Sequence, residues 1–258
     1  MNSIHFEILG IGLLGPGLTD WASAAPLLRE PDQWRSVPTV VPPPQRLPAT
    51  ERRRAGPVVK ASIVVADQAV AAAGLDAAEL ATVFASSSGE PTNCHALCEA
   101  LAAPDRMVSP TRFTNSVHNA PGGYWHIAVQ SRQPSTSLAA YDASFGAGLL
   151  EAAALCATRQ APVLLVVCDV PYPAPLHAKR PLSDVFGVAL VLGPGSGVSL
   201  ALWGETAATS CAHAGFEAVR SSIPAARALP LLQALANGVP AVVHIEGMPG
   251  MGLRVELK

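Results

Sequence analysis

Residues 135–156 constrain the fold more than any other stretch of the chain. Ser135, Thr136, Ser137, Leu138 and Ala139 form a short β-prone run behind Pro134, and it stops at Tyr141-Asp142. Residues 143–156, ASFGAGLLEAAALC, follow at once with the small, Ala/Leu-rich composition of a buried helix. A strand that turns sharply into a helix sets one side chain at the helix N-terminus. Unpaired N–H groups and the helix dipole favour negative charge there, and catalytic folds often use that position for a nucleophile. In this sequence the side chain so placed is Asp142, which as the simpler reading is an N-cap for the helix that follows.

The rest of the chain continues the alternation. Residues 4–14 read as a first strand, and a helix starting at Trp21 has Asp20 at its N-cap. The proline-dense stretch 31–48 excludes helix and predicts an extended surface path. Residues 58–73 suit a core helix ended by Gly74, residues 81–85 a buried strand, 122–129 a helix and 162–168 a second buried strand. Residues 185–192 and 198–202 read as a hairpin turning at Gly193-Pro194-Gly195-Ser196-Gly197. That cluster is not a phosphate loop, since no Lys-Ser/Thr follows it. A helix over 225–236 and a last hairpin, 241–245 with 252–257, complete the pattern. It predicts an α/β fold: one mixed β-sheet with helices on both faces and C-terminal β-hairpins. The length of 258 residues is enough for a single domain with a sizeable core.

Half of the residues are hydrophobic and only 14% are charged, so a face covered by a partner is expected. A net charge of −2 gives no electrostatic case for nucleic acid or an anionic membrane surface. The five cysteines are irregularly spaced and suggest no disulfide framework. No apolar run approaches the roughly 20 residues that span a bilayer, and the first residues lack a basic signal-peptide region. A cytoplasmic protein is expected.

Asn115-Ser116-Val117-His118-Asn119, then Pro134-Ser135-Thr136-Ser137-Leu138-Ala139, then Arg180-Pro181 and the strand 186–192 occur in an order and at separations that carry a family likeness. They resemble the N-terminal half of a β-ketoacyl synthase of the thiolase-like superfamily. The resemblance covers about residues 1–200, with 201–258 as an extension packed on that half. It implies a thiolase-like half-fold. It also aligns Asp142 with the family's nucleophilic cysteine, Ser144 with a serine after it, and His118-Asn119 with an asparagine that braces the site. Asp142, Ser144, Phe145, His118 and Asn119 thus form an expected pseudo-active site.

A condensing enzyme needs a thiolate, because a thioester keeps the acyl group electrophilic, and two histidines to support the carbonyl during decarboxylation. The family's histidine motifs lie in its second half, and neither His213 nor His244 stands in one. Acyl transfer to Asp142 would give a mixed anhydride, uphill from a thioester. The resemblance therefore implies a non-catalytic subunit of the chain-length-factor type, without metal or cofactor. Its partner would be a full-length β-ketoacyl synthase in a heterodimer, with an acyl carrier protein as a further contact, in type II polyketide, aryl-polyene or fatty-acid-like chain elongation. By the same likeness, the strand Ser135, Thr136, Ser137, Leu138 and Ala139 would pair across the two-fold, flanked by Tyr124 and Trp125. The alternative is a stand-alone acyl-thioester enzyme using Asp142 and His118. A third reading is a scaffold with no tunnel lined by 86–90 and 142–145.

Three smaller features stay open at this level. Glu51-Arg52-Arg53-Arg54 suits a solvated helix start or a contact for an acidic carrier protein. Ser86-Ser87-Ser88-Gly89-Glu90 suits a plain strand-to-helix turn or a ligand loop. Cys94, His95 and Cys98 share a helix, but as a metal site they lack a fourth ligand, so packing is the reading taken.

Overall fold

The computed structural model describes residues 3–204 and 207–258. In chain order, β1 (Ile4–Leu14) is followed by α1 (Trp21–Arg29), α2 (Ala49–Arg54) and α3 (Pro57–Ala73). Next come β2 (Ala81–Ala85), α4 (Pro91–Ala102), α5 (Pro110–Thr114), α6 (Ala120–Val129), β3 (Ser135–Leu138) and α7 (Ser144–Arg159). The chain continues with β4 (Val163–Asp169), β5 (Phe186–Trp203), α8 (Ala214–Ser222), α9 (Leu229–Asn237), β6 (Ala241–Ile245) and β7 (Gly252–Leu257).

β4 decides the layering. Its sequence VLLVVCD is buried at every position, so helices must cover both of its faces. Val163, Leu165 and Val167 pack with Phe145, Leu149 and Ala152 of α7. Leu164, Val166 and Cys168 join the opposite core with Val59, Ile63 and Ala66 of α3 and Trp125 of α6. Each such Val, Leu or Phe removed from water contributes about 1.5–3 kcal/mol. The strands run in the order β3-β2-β4-β5-β7-β6, with β1 paired to β5. β2 is parallel to β3 and to β4, while β5 is antiparallel to β4, β1 and β7. This is a mixed sheet with helices on both faces. The start of α1 is held by Asp20, whose carboxylate accepts from the Ser23 N–H at 2.9 Å. α3 ends at Gly74 with φ 65°, the left-handed position at which a helix stops most cheaply on glycine.

The expected hairpin over 185–202 is instead one strand. β1 pairs with both parts of β5, from Leu14 opposite Gly187 to Glu7 opposite Gly193 and again from Phe6 opposite Val198 to Ile4 opposite Leu200, and residues 194–197 bulge out between the two runs. The glycines serve this bulge against β1 and not a hairpin turn. A Cβ on Gly193 would run into the Leu9 side chain, and one on Gly195 into that of Glu7. The helix expected over 225–236 is likewise divided, into a 3-10 turn (Pro224–Ala228) and α9, with Pro230 at the start of the latter. Residues beyond 201 close the first core: Phe216 of α8 and Leu231 and Leu232 of α9 pack into the same cluster as Phe145, and β7 pairs with β5.

Candidate functional site

β3 is bonded to β2 alone among the described residues, so it forms one edge of the sheet and leads directly into the elbow before α7. The turn itself is a 3-10 turn, Tyr141–Ala143. At Tyr141 φ is 53°, a region that non-glycine residues rarely occupy and that costs roughly 1–2 kcal/mol. The strained residue of the elbow is therefore Tyr141, and its side chain stands 65% exposed. Ser144 closes the turn from inside. Its buried hydroxyl accepts from the Ala140 N–H at 3.0 Å and donates to the Tyr141 carbonyl at 2.7 Å.

Asp142 does not cap α7, contrary to the simpler reading of the sequence. The 3-10 turn places Ala143 at the N-cap position, so Asp142 falls one residue too early for its carboxylate to meet the first-turn amides. Its Oδ1 instead accepts from Arg180 Nη2 at 2.7 Å. The same guanidinium lies over the Tyr141 ring, 3.6 Å from its centroid. Burial lowers the pKa of Arg180, and Asp142, Tyr172 and Tyr141 together more than restore it. Both outward side chains of the elbow are thus held by one arginine.

The other expected site residues are dispersed. Phe145 is fully buried in the α7 core. His118 Nε2 lies 3.3 Å from the Ser86 carbonyl, bracing the 86–90 loop. Asn119 occupies the N-cap position of α6 without making a side-chain cap bond. Among the described residues, His118 shares no hydrogen bond or ion pair with Asp142. Asn115 acts as a brace: Tyr124 donates its hydroxyl to Asn115 Oδ1 at 3.0 Å, and Asn115 Nδ2 donates to the Arg54 carbonyl at 2.9 Å.

Tyr124 and Trp125, expected at the partner contact, belong to the chain's own second core, with Trp125 fully buried. α6 has apolar residues all round, APGGYWHIAV, and packing on α3 and β2 claims the face that carries both rings. The apolar side chains left outside are Ile127 of the same helix, Val117 just before it, and Phe113 of α5.

Two carboxylates are buried at the ends of the 86–90 loop's contacts: Asp169, which the sequence analysis did not single out, and Glu90, which it named only as part of that loop. Asp169, at the end of β4, is fully buried. Its Oδ1 accepts from Ser86 Oγ at 3.1 Å and from the Ser87 N–H and Oγ, each at 2.8 Å. Its Oδ2 accepts from the Ala225 N–H at 2.8 Å. Burial pushes the Asp169 pKa up against the pull of these four donors. Glu90 has one oxygen bonded to the Val58 N–H at 3.0 Å, at the start of α3. Burial lifts its pKa to about 7, against the Val58 and Val59 amides and Lys60.

A cavity of about 460 Å³ opens between α4 and the 171–181 loop, lined by Cys94, Cys98, Tyr172, Pro175 and Leu176. Cys94 and Cys98, expected in helix packing, are exposed and border this cavity instead. Burial, followed by the Cys98 thiol beside it, raises the Cys94 pKa, which weakens it as a nucleophile. His95 pairs with Glu99 at 3.3 Å. Among the described residues no group of three or more His, Cys, Asp or Glu side chains could hold a metal ion, and no helix is long and apolar enough to cross a membrane.

Comparison with known proteins brings a family and a fold to this geometry. The family described as Beta-ketoacyl synthase, N-terminal domain, matches residues 27–247. No curated protein matches the chain. Among solved structures, a chain of the complex of the ketosynthase ApeO with its chain length factor ApeC from Xenorhabdus doucetiae superposes with a TM-score of 0.74 at 23% identity, over 98% of this chain and 99% of that one. The ishigamide ketosynthase/chain length factor gives 0.75 at 14% identity, over 100% and 99%. AntDE:AntF, a type II polyketide synthase acyl-carrier protein in complex with its ketosynthase, gives 0.74 at 10% identity, over 100% and 99%. At these identities the likeness is one of fold.

Proposed function

The chain belongs to the β-ketoacyl synthase N-terminal-domain family, and from that premise we propose that it is a chain-length-factor-type subunit. In this reading it pairs with an active β-ketoacyl synthase and performs no condensation alone. The observation that carries the proposal is the elbow. Where the family resemblance calls for a free thiolate, the outward side chains are a tyrosine and a carboxylate, both engaged by Arg180. The fold likeness supports the same reading, since the chain is coextensive with chains from ketosynthase/chain length factor complexes. The stand-alone alternative draws no support from the site, because His118 serves the 86–90 loop and Asp142 serves Arg180.

The contact we propose is centred on β3. An unprotected edge strand is a template for pairing, and Ser135, Thr136, Ser137, Leu138 and Ala139 contain no lysine, bulge or internal proline to block it. Phe113 of α5, Val117 in the turn between α5 and α6, and Ile127 of α6 supply exposed apolar area. The partner would cover both, in an interface of about 2,000 Å² or more. The acyl chain, of the unsaturated polyketide class implied by the resemblance to aryl-polyene systems, would be elongated at the partner's thiol and delivered by an acyl carrier protein. Co-expression with a full-length ketosynthase followed by co-purification tests the pairing. Wild type should co-purify, and Ser137→Pro, which removes a strand N–H, should not. A soluble Ser137→Pro chain that still carried its partner would refute β3 as the seam. Condensing activity of the chain alone would refute the non-catalytic role.

A further inference from the structure

A second concave site lies where α2, α4 and α5 meet the start of α3. It encloses about 360 Å³ and is lined by Arg53 and Arg54, Arg112, Thr92, Ser109 and Thr111. Arg54 has only a long contact with Glu51, at 3.5 Å, and Arg53 and Arg112 make no ion pair among the described residues. Three guanidinium groups and three hydroxyls around one cleft form a donor-rich wall suited to a compact anion.

Glu90 belongs to the same wall and is only 7% exposed. Gly56 makes room for it, since a Cβ there would run into the Glu90 carboxylate. Oε2 is bonded to the Val58 N–H, while Oε1 is buried with no partner. A buried oxygen left without a partner costs free energy, and a proton on it would need an acceptor that the chain does not provide. An oxygen atom of an anion in the cleft is such an acceptor.

We propose that this cleft binds a compact oxyanion of the phosphate class, held by Arg53, Arg54 and Arg112 and by a hydrogen bond donated from the Glu90 carboxyl group. The arginines neutralise the ligand. The proton on Oε1 removes the repulsion that an ionised Glu90 would exert and becomes the ligand's innermost donor. Binding therefore takes up one proton wherever Glu90 is ionised in the free protein. The lift of its pKa to about 7 makes that proton available near neutrality. The charged and titratable groups facing Glu90 are Lys60 on α3, Arg53 and Arg54 on α2, Arg112 on α5, Cys168 on β4, and His118 beside Gly89. The site does not rest on the pairing proposed above, although it shares α5 with that surface, which carries Phe113 beside Arg112 in sequence.

Sulfate is the decisive probe because it carries no proton of its own at these pH values, so any pH dependence of its binding belongs to the protein. In titration calorimetry of the full chain, sulfate should bind about tenfold more tightly at pH 6 than at pH 8, following protonation of a group near 7. Glu90→Gln, whose amide donates at any pH, should bind sulfate with little pH dependence. His118→Gln should keep the dependence. Arg112→Ala and Arg53→Ala, both at exposed positions, should each weaken binding about tenfold without altering thermal stability. Inorganic phosphate and glycerol 3-phosphate, run side by side, separate a free ion from an ester as the preferred source. The proposal is overturned by any of three results: no saturable binding of these probes, unchanged affinity in both arginine variants, or an undiminished pH dependence in Glu90→Gln.

Discussion

Asp169→Asn tests whether one buried carboxylate ties the 86–90 loop and the C-terminal segment to the sheet. The carboxylate accepts four hydrogen bonds and donates none, with two of the donors being backbone N–H groups, of Ser87 and Ala225. An amide can keep only one acceptor oxygen. The less harmful orientation keeps it toward the two serines and turns the NH₂ toward the Ala225 N–H, leaving that buried donor facing another donor. One orphaned donor costs about 1–3 kcal/mol, and the three remaining bonds drop from charge-assisted to neutral strength. Relief from burying a charge offsets part of this, so a net loss of about 2–4 kcal/mol is expected. For 258 residues, an unfolding entropy of about 2.1 cal/mol/K per residue converts this to a fall in Tm of about 4–7 °C. Scanning calorimetry measures the fall, and hydrogen exchange should show the Ala225 amide losing protection with it. An unchanged Tm together with unchanged protection at Ala225 would refute the reasoning.

Other expectations follow from the same geometry. Raising the Glu90 pKa from 4.5 to about 7 means that the folded state binds its proton more tightly than the unfolded chain. Its stabilising effect is complete below about pH 4.5 and is lost as pH rises through 7, by about 3 kcal/mol. Urea titrations at pH 5 and pH 8 should show that loss in wild type and not in Glu90→Gln; equal slopes in the two proteins would refute it. Arg180→Ala should free Tyr141 and Asp142 together, raising the rate at which Tyr141 is nitrated by tetranitromethane, read by peptide mass spectrometry, and costing about 1 kcal/mol. Asp142→Ala should cost no more than that, because no cap is lost; a larger loss would restore the capping role.

The layered α/β core was legible because it is written locally. VLLVVCD and ATVFA are continuous apolar runs that only a doubly covered strand can bury, and ASFGAGLLEAAALC has the small residues of a helix pressed onto a sheet. What escaped depends on distant partners or on phase. The Gly193–Gly197 cluster imitates a hairpin turn, and only β1, which pairs on either side of it from far away in sequence, shows that it is a bulge within one strand. Asp142 missed the N-cap by one residue because a 3-10 turn precedes α7, and propensity does not register that phase. α6 is apolar on every side, so nothing in APGGYWHIAV distinguished the face that meets α3 from the one left outside. Asp169 drew no notice as a single acid closing an apolar run, with its donors 82 and 56 residues away in sequence.

The length of β5 has a consequence for how the chain comes off the ribosome. β1 is made well before β5, its one strand partner among the described residues, so its hydrogen-bonding edge waits until residues 187–200 have been synthesised. At roughly 5–20 residues per second, translation alone imposes a wait of about 10–40 s. During that time an eleven-residue β-prone segment, IHFEILGIGLL, is solvated and free to pair with whatever strand it meets. Loop closure over so long a separation also places the β1–β5 pairing among the late events of folding. Yield in the cell should therefore depend on what shields this first strand during synthesis, as well as on how stable the finished sheet is.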